Sequence, residues 1–87
     1  MAFRIVYPAR AAAQIRKLDP QVMRRVVKRI DRLMQNPRPQ GVARLEGHAD
    51  VYRIRVGDYQ ILYRIDDARE IIEITIVAHR REVYRDL

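Results

Sequence analysis

The chain contains no cysteine, serine or tryptophan, a single phenylalanine and only three glycines. Without cysteine there are no disulfides and no thiolate metal sites, a usage that fits a reducing cytoplasm. Without serine, hydrolysis by a serine triad is excluded. No glycine-rich loop is present to cradle a phosphate. His48 and His79 are too few and too isolated for the usual ligand spacing of a metal site. No run approaches the ~20 apolar residues that span a bilayer, and the first residues lack the apolar core of a signal peptide. The expectation is a cytoplasmic protein with no membrane partner.

What the sequence has in excess is positive charge. Eighteen Lys and Arg stand against eleven Asp and Glu, a formal net charge of +7. Lysine occurs only at Lys17 and Lys28, and every other basic residue is arginine. The planar guanidinium fork makes paired hydrogen bonds to phosphate, where lysine acts as a point charge. A basic excess of this size draws polyanions, with binding that weakens as salt rises. It also fits a solubilising surface or an acidic protein partner. With 87 residues, 48% of them hydrophobic, the chain fills one modest core and is read as a single domain, residues 1–87.

Phe3 to Tyr7 reads as a short strand, and Pro8 opens an alanine-rich helix running to Leu18. Asp19-Pro20 pairs an N-cap with a proline at the first helical position. From there Met23, Val26, Val27, Ile30, Leu33 and Met34 recur at helical spacing, so this segment is an amphipathic helix. Its other side carries Arg24, Arg25, Lys28, Arg29 and Arg32, most simply a solvated face, though one able to touch phosphates or an acidic partner. Asn36-Pro37-Arg38-Pro39 stops it.

The period then changes to two. Val42 to Leu45 reads as a short strand, Val51 to Val56 and Tyr59 to Ile65 as a hairpin about Gly57-Asp58, and Ile71 to Ala78 as the next strand. His79 to Leu87 is charged and reads as a short frayed helix. The fold class is α+β: a small antiparallel-rich sheet with two N-terminal helices packed on one face.

Alternation along the hairpin assigns Tyr52, Ile54 and Val56 to the helix side and Arg53 and Arg55 to the other. Gln60 and Arg64, then Glu73 and Thr75, should continue that uncovered side, making it polar and basic. Two arginines alone do not distinguish such a face from an ordinary solvated one. His79, Arg80, Arg81 and Tyr84 follow directly after the last strand and should emerge beside it. A tyrosine there can stack on an unpaired base, arginines can stabilise charge building on a phosphorane, and a histidine can exchange protons near neutral pH.

Tyr52-Arg53-Ile54-Arg55-Val56-Gly57-Asp58-Tyr59, Ile61-Leu62-Tyr63 and Ala78-His79-Arg80-Arg81-Glu82-Val83-Tyr84 together resemble the RelE branch of the RelE/ParE toxins. The resemblance covers essentially the whole chain and implies a RelE-like βααβββ order. It implies a ribosome-dependent endoribonuclease that cuts messenger RNA, needing no cofactor or metal, and that a cognate antitoxin neutralises. Operator DNA would be reached only through the antitoxin complex.

By the same resemblance Arg53, Arg55, Arg80 and Tyr84 are the catalytic group. Arg53 and Arg55 would orient the RNA backbone, Arg80 would stabilise the transition state, and Tyr84 would stack on or orient the nucleotide. Gln60, Arg64, His79 and Arg81 would bind substrate. One departure stands out: many relatives carry an arginine where this chain has Gln60, which brings no charge, and Arg64 is the candidate to compensate. The alternatives are a ParE-like inhibitor of DNA gyrase and a catalytically weakened domain that binds its antitoxin and acts as co-repressor.

Overall fold

The strongest helix signal in the sequence becomes the longest helix. In the computed structural model, which describes residues 2–47 and 50–81, the Asp19 carboxylate accepts a hydrogen bond from the Gln21 amide at 3.2 Å. Pro20 follows at the first helical position. Together they satisfy one orphan donor and remove another. The chain order is β1 (Arg4–Val6), α1 (Ala9–Arg16), α2 (Pro20–Arg32), β2 (Ala43–Arg44), β3 (Val51–Val56), β4 (Tyr59–Asp66) and β5 (Ile71–His79). That is one strand more than βααβββ, because the short segment Ala43–Arg44 pairs with β3. Of the tail expected to form a helix, His79 instead ends β5; residues 82–87 lie outside the described residues.

The sheet runs β1-β5-β4-β3-β2. The β5–β4, β4–β3 and β3–β2 pairs are antiparallel, and β1 lies parallel to β5. The hairpin joining β3 to β4 closes through two residues, Gly57 and Asp58, between the facing pair Val56 and Tyr59. Gly57 takes φ +58°, a conformation that side chains resist and two-residue hairpin loops require.

Both helices pack on one face. Ala11 and Ile15 of α1 and Val26 and Ile30 of α2, with Leu33 just beyond, meet Ile54, Ile61, Tyr63, Ile72, Ile74 and Val77 of the sheet. Burying those side chains is the main source of stability. Polar ties assist. β1 pairs with β5 only as far as Glu73, and the Val77 amide further along donates to Gln14 Oε1 of α1 at 2.7 Å. A strand edge that would otherwise carry a bare donor is thus covered by a helix side chain.

Candidate functional site

The face of the sheet away from the helices is where the sequence places its basic residues, and the register resolves it rung by rung. Arg55 lies opposite Gln60, Arg53 opposite Leu62, and Val51 opposite Arg64. Across the next pair, Gln60 faces Ala78, Leu62 faces Ile76 and Arg64 faces Glu73. Ile54, Val56, Ile61, Tyr63, Ile74 and Val77 alternate with these and belong to the helix-side core. Arg53, Arg55, Gln60 and Arg64 therefore share the face that neither helix covers.

That face is not uniformly polar, which corrects the expectation for its middle. Val51, Leu62 and Ile76 form a second apolar cluster, with Leu45 and Ala78 packed against it. Val51 and Leu62 reach it by alternation, and a bulge in β5 adds Ile76. Pairing shifts between Leu62 and Tyr63, so that Ile74 and Ile76 take consecutive rungs and Thr75 becomes the extra residue. The Thr75 hydroxyl donates to the Leu62 carbonyl at 2.9 Å instead of extending a polar surface. Ile76 and Ala78 then occupy the rungs opposite Leu62 and Gln60.

The charged residues separate into two ends. At the hairpin end, Arg55 is exposed and Arg53 half-buried. The Arg80 amide donates to the Asp58 carbonyl at 2.9 Å, so the chain leaving β5 stays beside the hairpin turn. Arg80 and Arg81 are both exposed there. At the opposite end Arg64 makes a loose 3.9 Å ion pair with Glu73. It also lines a cavity of about 440 Å³ with Asp50, Asp66, Asp67 and Glu73. Four residues of strand, roughly 13 Å, separate Arg64 from Gln60, so Arg64 does not stand in for a charge at that position.

Gln60 is only 3% exposed, and its Oε1 has no hydrogen-bond partner among the described residues. Its position is as expected from the alternation, yet its amide is buried. His79 pairs with Tyr59 across β4 and β5, one rung on from Gln60 and Ala78. Alternation therefore places its ring on the helix-bearing side of the sheet. There it meets the Tyr59 ring edge-on at 5.5 Å, and its Nδ1 accepts from the Arg81 amide at 3.3 Å. Tyr84, like His48, lies outside the described residues. The site the structure brings together is thus Arg53, Arg55 and Arg80 around the hairpin, with Arg81 close by and Gln60 buried beneath.

The sequence leaves the cations of α2 as an outer face, most simply solvated but able to touch phosphates or an acidic partner. The structure joins them to the hairpin: Arg25, Lys28, Arg29 and Arg32 line one groove with Arg55, Val56 and Gly57. Periodicity identifies the helix face but not which strand edge lies beside it. Among the described residues no helix is long and apolar enough to cross a membrane.

A family model describing the ParE toxin of the type II toxin–antitoxin system parDE matches residues 5–84. The chain belongs to the RelE/ParE toxins. Toxin RelG of Mycobacterium tuberculosis is 30% identical over 86 residues, covering 98% of this chain and 99% of that protein. The toxin–antitoxin complex RelBE2 from the same organism contains a chain that superposes with a TM-score of 0.80 at 28% identity, covering 92% of this chain and 100% of that one. The archaeal RelE–RelB complex from Pyrococcus horikoshii gives 0.81 at 28% identity, covering 92% and 97%. Two helices on one face of a five-stranded, mostly antiparallel sheet is the architecture of these RelE toxins.

Proposed function

We propose that this toxin is a ribosome-dependent endoribonuclease that cuts messenger RNA and is neutralised by a cognate RelB-type antitoxin in the cytoplasm. The observation that carries the reading is the gathering of Arg53, Arg55 and Arg80 at the hairpin end of the uncovered face, with the Arg80 amide tied to Asp58. Relatives named as RelG and RelE support it and favour it over gyrase inhibition.

The chemistry follows from what these side chains offer. The ribose 2′-oxygen attacks the adjacent phosphorus, forming one P–O bond as the bond to the 5′-oxygen breaks. The nucleophile loses a proton and the leaving oxygen gains one. Arginines at the hairpin orient the phosphate through paired hydrogen bonds and stabilise the negative charge that grows on its equatorial oxygens. Tyr84 is assigned to stacking on the nucleotide and Arg81 to contact with its flank, while His79, on the other side of the sheet, positions the Arg81 backbone. No cofactor enters this scheme.

The test adds purified protein to a translating extract and maps messenger ends by primer extension. Discrete cuts are expected, and intact messenger at doses that stop translation refutes the reading. Supercoiling by purified gyrase should be unaffected. The buried, uncharged Gln60 favours a second reading, a catalytically weakened domain that binds its antitoxin and represses through it. Absence of toxicity when the chain is expressed alone would select that alternative.

A further inference from the structure

The groove between α2 and the hairpin has a volume of about 310 Å³ and is lined by five cations, Arg25, Lys28, Arg29, Arg32 and Arg55, together with Val56 and Gly57. No carboxylate lines it, and none of the five is in an ion pair among the described residues. The helix supplies four of them at i, i+3, i+4 and i+7, along the flank beside the buried Val26 and Ile30. Two features of the strand bring the fifth. β2 pairs with β3 only at Tyr52 and Arg53, which leaves residues 54–56 as the margin of the sheet. Gly57 has no side chain, and a Cβ there would come within 3.3 Å of the Arg25 guanidinium. The hairpin backbone and the helix cations therefore come close together.

We propose that this groove holds the phosphodiester backbone of the RNA strand as it leaves the uncovered face and passes round the free margin of β3. The proposal rests on the RNA-cleaving reading and extends the contact beyond the cleaved nucleotide. Arg55 is the link, since it faces Gln60 on the uncovered side and also lines the groove. Arg25 to Arg32 spans about 10 Å of helix, enough for roughly three successive phosphates at the ~3.4 Å rise of a stacked strand.

An acidic protein segment fits less well. Such interfaces are anchored by apolar or aromatic side chains in pockets, and the groove offers cations around one buried valine. The apolar hollow on α2, at Met23 and Val27, is a separate cavity.

The test uses the whole protein and a short single-stranded RNA with 2′-O-methyl riboses, which binds but cannot be cut. Affinity is measured by fluorescence anisotropy across a range of salt concentrations. The triple variant Arg25→Gln/Arg29→Gln/Arg32→Gln is compared with Arg4→Gln/Arg16→Gln/Lys17→Gln, which removes the same charge from exposed positions elsewhere. The groove variant should lose on the order of tenfold or more in affinity, and its log–log salt slope should flatten by about 2, at about 0.7 per phosphate contact. The control should keep the parental slope.

Equal effects in both triples, an unchanged groove variant, or no salt-dependent RNA binding by the parent would each overturn the proposal. So would a groove variant that loses antitoxin but not RNA. If the triple variant fails to fold, Arg25→Gln and Arg32→Gln singly should each flatten the slope by about 0.7, and unchanged slopes overturn it. A parent that binds through the groove yet never cuts messenger defeats only the nuclease reading.

Discussion

Arg38 grips Asp67 through two hydrogen bonds, 3.1 and 2.8 Å long, across 29 positions of sequence. The same guanidinium donates to the Tyr52 hydroxyl at 3.3 Å and sits 5.2 Å from the centre of that ring. The loop after α2 is thereby fastened to the turn between β4 and β5. Hydrogen bonding to Arg38 holds the Asp67 carboxyl below its usual 3.8. The folded state thus favours the ionised form, so the contribution is present above pH 3.8 and is lost as pH falls through the lowered value. Asp67→Asn should melt below the parent at neutral pH, and the gap should close in acid. A gap that persists at low pH would separate the tether from this charge.

Tyr63 is fully buried, and its hydroxyl donates to the Pro37 carbonyl at 2.7 Å. Tyr63→Phe keeps the ring and removes the donor, so it should cost about 1–2 kcal/mol, measured by urea unfolding. Ile61→Ala removes a fully buried side chain between the helices and the sheet, and should cost about 2–5 kcal/mol. An Ile61→Ala cost near zero would mean that the core does not sit between those layers.

The two helices, the hairpin about Gly57-Asp58 and the side of the sheet carrying Arg53 and Arg55 were legible because each rests on local periodicity or turn chemistry. The inserted Thr75 was not. A bulge depends on how two strands slide past each other, and the uninterrupted run Ile71 to Ala78 gives no sign of it. Val51 and Leu62 fall on that face by simple alternation, but the arrival of Ile76 beside them depends on the bulge. The same extra residue reverses the alternation of β5 beyond Thr75, which sends His79 to the helix side. The acidic surroundings of Arg64 arise from Asp50 and the β4–β5 turn, which only the folded chain brings together.

Arg80 and Tyr84 together test the nuclease reading. Arg80 is exposed and contributes only its backbone amide to the hairpin, so Arg80→Ala should leave the melting temperature unchanged. If Arg80 stabilises the transition state, cleavage in the translating extract should fall by about 10²–10³-fold. Tyr84→Ala should abolish growth inhibition with the antitoxin complex intact. Full toxicity in both variants would remove the pair from the site.

Gln60 tests how much cleavage the proposed nuclease can carry out without a charge at that position. Its buried Oε1 has no partner among the described residues, and an unsatisfied buried acceptor costs about 1–3 kcal/mol. Gln60→Met keeps the shape without the acceptor, so stability should hold or rise by about 1 kcal/mol. Gln60→Arg supplies the charge that the family resemblance implies there but sets it directly opposite Arg55, and like charges facing each other across strands are destabilising. That variant should unfold at lower urea and cut messenger faster. If Gln60→Arg cuts no faster, the uncharged residue is not what limits cleavage; if Gln60→Met is clearly less stable than the parent, the amide has a partner after all.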